Sequence, residues 1–247
     1  MNPYLAEFIG TAILIIFGNG VVANVVLSRT KGNNSGWIVI TAGWAVGVFV
    51  GVFCSQRFSG AHLNPAITVA LAVAGQFSWA KVASYIAAQM LGGFVGGATV
   101  FLFYREHFKL TEDPTAKLAC FSTAPNIRNL PQAFLCEVVG TFVLVLPVFL
   151  IAGASIQLPG SSDAATPIGL GAIGALPVAL LVFGIGLSLG GTTGYAINPA
   201  RDLGPRLAHA LLPVPGKRGS DWGYAWVPVA GPLLGGLLAA WVNRLLS

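Results

Sequence analysis

Two stretches decide how this chain folds: Ser59-Gly60-Ala61-His62-Leu63-Asn64-Pro65-Ala66 and Thr192-Thr193-Gly194-Tyr195-Ala196-Ile197-Asn198-Pro199-Ala200-Arg201-Asp202. Each runs into a short apolar segment, about 64–76 and 198–212, that opens on Asn-Pro-Ala. Asn suits a helix N-cap and Pro the first helical position, where its missing N–H costs nothing. Both segments therefore read as helices, yet both are too short to cross a bilayer, which takes about 20 apolar residues. They read as half-helices that enter a membrane and stop. The non-helical backbone ahead of each survives in a membrane only where protein or a water-filled cavity satisfies its amides. A single Asn-Pro-Ala is no more than a turn signal; two that open matching half-helices carry weight.

Outward from these, six longer apolar stretches qualify as spans, at about 4–26, 37–55, 80–104, 131–154, 168–190 and 224–243. An even count puts both termini on one side. The opening run from Tyr4 to Val26 lacks a basic leader and exceeds a signal-peptide core, so it is expected to be a retained span. Only 9% of the 247 residues are charged and 55% are hydrophobic, where a soluble domain carries about a quarter charged residues. The formal charge of +5 comes from 13 Lys and Arg against 8 Asp and Glu. These basic residues lie between apolar runs, so they read as loop and interface charges and not as a nucleic-acid surface. Cys54, Cys120 and Cys136 are odd in number and lack metal-ligand spacing, so neither a disulfide framework nor a metal site is expected.

The halves of the chain repeat. Glu7-Phe8-Ile9-Gly10-Thr11 with Leu14 returns as Glu137-Val138-Val139-Gly140-Thr141 with Leu144, and Asn64-Pro65-Ala66 returns as Asn198-Pro199-Ala200. Gln89-Met90-Leu91-Gly92-Gly93 returns as Pro232-Leu233-Leu234-Gly235-Gly236. Each unit holds three spans, so the second copy must cross the membrane upside down, an arrangement that places a site near the midplane between broken helices. The expected class is an all-α membrane protein of six transmembrane helices and two re-entrant half-helices. It would form one channel domain over 1–247, with a first repeat at about 1–105, a linker loop at about 106–130 and a second repeat at about 131–247. The glycine clusters at Gly92, Gly93, Gly96 and Gly97 and at Gly184, Gly186, Gly190 and Gly191 suit close helix contact in lipid.

The carbonyls of Gly60, Ala61, His62 and Leu63, and of Gly194, Tyr195 and Ala196, can form a ladder of acceptors along a pore. If both half-helices start near the midplane, their positive dipole ends meet there. That point opposes a cation or a proton-conducting file of water, while the Asn64 and Asn198 amides still donate to a passing hydroxyl. Glu7 and Glu137 are ionisable groups in apolar spans and should face the protein interior. His62, with no Cys, Asp or Glu at ligand spacing, reads as structural.

Ser59 to Ala66, Gly194 to Pro205 and the repeat around them resemble the aquaporin superfamily over nearly the whole chain. The resemblance implies a homotetramer with one pore per protomer. Asn198-Pro199-Ala200-Arg201-Asp202 followed by Arg206, and Phe121-Ser122-Thr123 with Pro125-Asn126, are similar to the glycerol-facilitator branch, with Asp202 as its marker. By that resemblance the constriction maps onto Trp44, Gly186, Tyr195 and Arg201. Gly186 would leave it wider than the His usual in water-selective members, Arg201 would donate to hydroxyls, and Trp44 with Tyr195 would form an aromatic corner. Facilitators usually have Phe where this chain has Tyr195. Glu7 and Glu137 would brace the loops before the half-helices through backbone N–H bonds.

The implied function is passive conduction of glycerol, other small neutral solutes and water across the plasma membrane, excluding protons and ions. No cofactor is implied, and partners beyond the solutes would be the lipid bilayer and sister subunits. Termini are expected in the cytoplasm, although a positive-inside count favours the reverse: only Arg57, Lys81 and Arg244 would then face inward. The alternatives are a mainly water-selective channel, a coupled transporter, which would want ionisable groups at the midplane, and a non-conducting junction protein. An enzyme is not expected, because the sequence offers no nucleophile with a base, no metal cluster and no phosphate loop.

Overall fold

The structure, a computed structural model, describes residues 1–156 and 166–246. Six long helices, α1 (Pro3–Val26), α2 (Trp37–Ser59), α4 (Trp79–Phe103), α7 (Leu130–Leu150), α8 (Leu176–Leu189, led in by a 3-10 turn, Gly171–Ala175) and α10 (Val227–Leu246), are long and apolar enough to cross a membrane. Between them lie the half-helices α3 (Pro65–Val73) and α9 (Pro199–Leu211) and two short helices, α5 (Arg105–Leu110) and α6 (Pro114–Ala119). A two-residue antiparallel ladder, Ser155–Ile156 with Thr166–Pro167, ties the connection before α8.

The same start signal opens the repeat-related pairs. α1, α3, α7 and α9 each begin on an Asn N-cap (Asn2, Asn64, Asn129, Asn198) with Pro in the first two helical positions, and each Asn side chain accepts a backbone N–H of the first turn. Helix ends differ from the hydropathy reading where local chemistry intervenes. Pro147 removes a ladder bond in the last turn of α7, and the chain turns extended at Ile151 instead of continuing to 154. The sixth span starts three residues later than expected, because 221–226 is spent in turns that bury Tyr224 and Ala225. The linker is largely ordered: α5 and α6 occupy much of it, the latter capped by Asp113.

α1 packs against α2 and α4, α7 against α10, and α2 against α8. The half-helices are exchanged between repeats, α3 lying on α10 and α9 on α4. The matched glycines make that exchange possible. A Cβ at Gly93 would stand 2.5 Å from the Ala200 carbonyl oxygen, and one at Gly236 3.0 Å from that of Ala66. Apolar side chains such as Ile38, Leu102, Phe103 and Trp241 are exposed, whereas Glu7, Gln89, Glu137, Asp202 and Arg206 are fully buried. Apolar groups facing outward and charges facing inward are the pattern for a protein whose solvent is lipid.

Candidate functional site

The two loops ahead of the half-helices share one backbone signature. Gly60, Ala61 and Leu63 have positive φ (83°, 53°, 50°), as do Gly194, Tyr195 and Ile197 (84°, 37°, 43°). A non-glycine residue in this region costs roughly 1–2 kcal/mol, so four such residues need compensation. Two buried carboxylates supply it. Glu7 Oε1 accepts from the His62 N–H (2.9 Å) and Ser59 Oγ (2.6 Å), and Oε2 from the Leu63 N–H (2.7 Å) and Gln89 Nε2 (2.8 Å). Glu137 Oε1 accepts from the Ala196 N–H (3.0 Å) and Thr193 Oγ1 (2.7 Å), and Oε2 from the Ile197 N–H (2.7 Å). Hydrogen bonds to a charged group are worth about 1.5–3 kcal/mol each, enough to outweigh the strain.

With the N–H groups turned toward the glutamates, the carbonyls turn the other way. Those of Gly60, Ala61, His62, Gly194, Tyr195 and Ala196 accept no hydrogen bond from protein among the described residues. The Leu63 carbonyl differs, since Asn198 Nδ2 donates to it at 2.8 Å. Its repeat mate is the Ile197 carbonyl, which accepts from Asn64 Nδ2 at 2.8 Å and was not among the expected ladder residues. The two half-helix starts are thus cross-linked side chain to backbone. Each Asn amide has spent one of its two N–H bonds there and its oxygen on its own helix, on Ala66 for Asn64 and on Ala200 and Arg201 for Asn198.

Gly60 to Asn64, Tyr195 to Asn198 and Arg201 line a cavity of about 250 Å³. The spanning helices contribute apolar lining, with Leu14, Val48, Val52, Leu144 and Val182. Pro65, Ala66, Pro199 and Ala200 are buried in the half-helix starts. The distal ends of the half-helices carry cations that sequence reasoning did not single out. Arg244 donates to the Val73 carbonyl at the end of α3, and Lys217 Nζ donates to the carbonyls of His209, Ala210 and Leu212 (2.7 Å each) at the end of α9. Each helix dipole therefore has its negative end neutralised by a cation and its positive end directed at the cavity.

Trp44, Gly186, Tyr195 and Arg201 come together. The Arg201 guanidinium carbon lies 3.9 Å from the centroid of the Trp44 ring. Tyr195 rests on α8, where a Cβ at Gly186 would meet its Cζ at 2.9 Å and Thr41 Cγ2 at 2.8 Å, and one at Gly190 would overlap the ring. The space left by Gly186 is thus filled by Tyr195. Trp37 completes the seat: its Nε1 donates to the Gly186 carbonyl (2.9 Å) and its ring meets Tyr195 edge-on. The Trp44 indole N–H and the Tyr195 hydroxyl are buried without a partner among the described residues. Asp202, the next residue on α9, is turned to other partners: Oδ2 accepts from the Thr123 N–H and Oγ1 (2.7 Å each) and Oδ1 from Arg206 Nε (2.8 Å). Arg206 in turn donates to the Thr123 and Ser220 carbonyls (2.8 and 2.7 Å), which staples the linker onto α9.

The major intrinsic protein family model matches residues 1–243. The chain is 55% identical over 240 residues to a probable glycerol uptake facilitator protein of Thermotoga maritima, covering 97% of each. It is 50% identical over 245 residues to a glycerol uptake facilitator protein of Streptococcus pneumoniae, covering 99% of each. An X-ray structure of the aquaglyceroporin from Plasmodium falciparum superposes with a TM-score of 0.81 at 30% identity, over 98% of this chain and 95% of that one.

Proposed function

Because the chain belongs to the major intrinsic protein family, we propose that it is a passive transmembrane channel for glycerol and other small neutral solutes, permeable to water and closed to protons and other ions. The observation that carries this is the mixed lining of the cavity, polar from the two loops and apolar from the spanning helices. Of the carbonyls without a protein donor among the described residues, those of five lining residues (Gly60, Ala61, His62, Tyr195 and Ala196), with Asn64, Asn198 and Arg201, supply the polar groups, and aliphatic side chains of the spanning helices supply the rest. A triol in extended form has hydroxyls along one edge and carbon along the other, so it can exchange its hydration for the polar groups without stranding its methylenes. Buried donors without partners cost free energy, and a solute passing the Trp44 indole N–H would supply its missing acceptor.

Exclusion of ions follows from the same groups. The Asn64 and Asn198 amides can only donate to a water between them, so that water's lone pairs are occupied and a continuous proton-accepting file is interrupted. Arg201 and the two positive helix ends oppose cations at neighbouring levels. A mainly water-selective channel is less favoured, given the facilitator relatives and the absence of an imidazole at Gly186. The remaining parts of the reading are a homotetramer with one pore per protomer in the plasma membrane, cytoplasmic termini, and one channel domain over 1–247 made of two repeats. The test is a panel of proteoliposome permeabilities to water, glycerol and a four-carbon polyol. Glycerol permeability well above the protein-free background, falling steeply for the longer polyol, supports the reading. Water permeability with background glycerol flux contradicts it.

A further inference from the structure

We infer that Asn19, on α1 and outside the cavity wall, is the positioning residue that holds Arg201 and so sets discrimination between glycerol and water. This rests on the reading of Trp44, Gly186, Tyr195 and Arg201 as the constriction. α1 passes directly behind two of its members. A Cβ at Gly18 would fall within the Trp44 ring, so the indole lies flat on the backbone of α1 at that residue. The next residue, Asn19, is fully buried, and both ends of its amide are in use: Oδ1 lies 3.5 Å from Arg201 Nη1, and Nδ2 donates to the Phe121 carbonyl at 3.2 Å. One side chain thereby joins α1, the linker and α9.

Arg201 needs such a support. It is 6% exposed, and among the described residues no carboxylate lies within ion-pair distance of it. Its sequence neighbour Asp202 spends both oxygens on Thr123 and Arg206. What fixes the guanidinium is the Trp44 face and the Asn19 oxygen, the one side-chain acceptor in hydrogen-bond range among the described residues. At 3.5 Å the contact is at the long end for a hydrogen bond. It acts mainly as charge–dipole attraction, strengthened where bulk water is excluded.

A neutral acceptor is what the position requires. A carboxylate would cancel the charge that opposes cations, whereas an aliphatic side chain would leave the guanidinium free to turn and strand the Phe121 carbonyl. A buried amide on an otherwise apolar helix is costly unless both ends are satisfied, as they are here. The effect should fall on glycerol more than on water. A triol meets the guanidinium with hydroxyls at fixed spacing along its carbon chain, while a water molecule reorients to whatever donor position it finds.

The experiment is a double-mutant cycle read as the glycerol-to-water permeability ratio in proteoliposomes, with parent, Asn19→Leu, Arg201→Ala and the double variant. Leu keeps the approximate side-chain size. Asn19→Ser, whose hydroxyl is too short to reach Nη1, serves if Leu does not insert. Asn19→Leu is expected to lower the ratio about three- to tenfold, the factor that one net hydrogen bond represents, and to add nothing once Arg201 is Ala. A ratio unchanged by Asn19→Leu, or the same fold-change in the Arg201→Ala background, overturns the inference. Arg201→Ala leaving the ratio unchanged would instead remove the constriction reading on which it stands.

Discussion

Replacing Gly186 with Ala is the smallest change that should alter what the protein conducts. The added methyl would stand 2.8 Å from Thr41 Cγ2, 2.9 Å from Tyr195 Cζ and 3.0 Å from its hydroxyl. Ordinary carbon contacts begin at about 3.5 Å, so the Tyr195 ring must retreat by about 0.6 Å (3.5 less 2.9). Behind it stands Trp37, hydrogen-bonded to the Gly186 carbonyl, so the open direction is toward Arg201 and the lumen. Overpacking of this size costs about 1–3 kcal/mol. If that cost reappears in the barrier for a solute that fills the constriction, glycerol flux falls roughly 5- to 150-fold at about 1.4 kcal/mol per decade. Water, which needs less width, should slow much less. Stopped-flow light scattering on proteoliposomes measures both rates. Gly184→Ala is the control on the same helix, since a Cβ there meets nothing within 4 Å. Equal fractional loss of glycerol and water flux by Gly186→Ala, or unchanged glycerol flux in inserted protein, would refute the argument.

Asn198→Asp places an anion where the two positive helix ends converge and turns a carboxylate toward the Leu63 carbonyl; a sodium conductance should appear in planar bilayers, and background conductance with intact solute flux would count against the dipole account. Tyr195→Phe removes a buried hydroxyl that has no partner among the described residues, so thermal stability should be unchanged or slightly higher and glycerol and a four-carbon polyol should pass faster; slower glycerol would mean that the hydroxyl serves the solute. Glu137→Gln sets an NH2 group against some of the donors of Thr193, Ala196 and Ile197 and should cost about 1.5–3 kcal/mol in the unfolding of detergent-solubilised protein, an idea that an unshifted melting curve would sink. Outside the spanning helices, the hydrogen bond from Arg128 holds the Asp221 carboxyl below its usual range. A lowered folded-state value means that the ion pair's contribution is present above the unfolded aspartate value and is lost as pH falls through the folded one, below about pH 4. Because the pair is partly exposed, that contribution is at most about 1 kcal/mol, so Arg128→Ala should leave the melting temperature at pH 7 within a few degrees of the parent and flatten its decline in acid; a large loss at pH 7 would contradict this.

Much of this architecture is legible in the residues. Chain length between polar breaks gives six spans, and the Asn-Pro pairs at Asn64 and Asn198 mark the half-helix starts, because cap chemistry is local. Fold exchange between repeats, with α3 on α10 and α9 on α4, is not local and leaves no signal beyond the paired glycines at 92–93 and 235–236. The grouping of Trp44, Gly186, Tyr195 and Arg201 follows from resemblance, yet the contacts that Gly18, Asn19 and Gly190 make with them do not: a glycine that receives an indole looks like any helix-packing glycine. Lys217 and Arg244 read as surface charges in the sequence, and only the fold turns them toward the ends of the half-helices. That Asn198 and Asn64 engage the Leu63 and Ile197 carbonyls leaves no local signal, because the bonded residues are 135 and 133 positions apart.

The central claim, a passive pore that passes a neutral triol and no protons, is tested most directly by recording glycerol-driven reswelling and lumenal pH together in proteoliposomes loaded with a pH indicator. The account predicts a glycerol rate that rises linearly with the gradient while lumenal pH stays at the protein-free baseline, with or without an imposed pH gradient. A rate that saturates with glycerol and moves protons in step would contradict it.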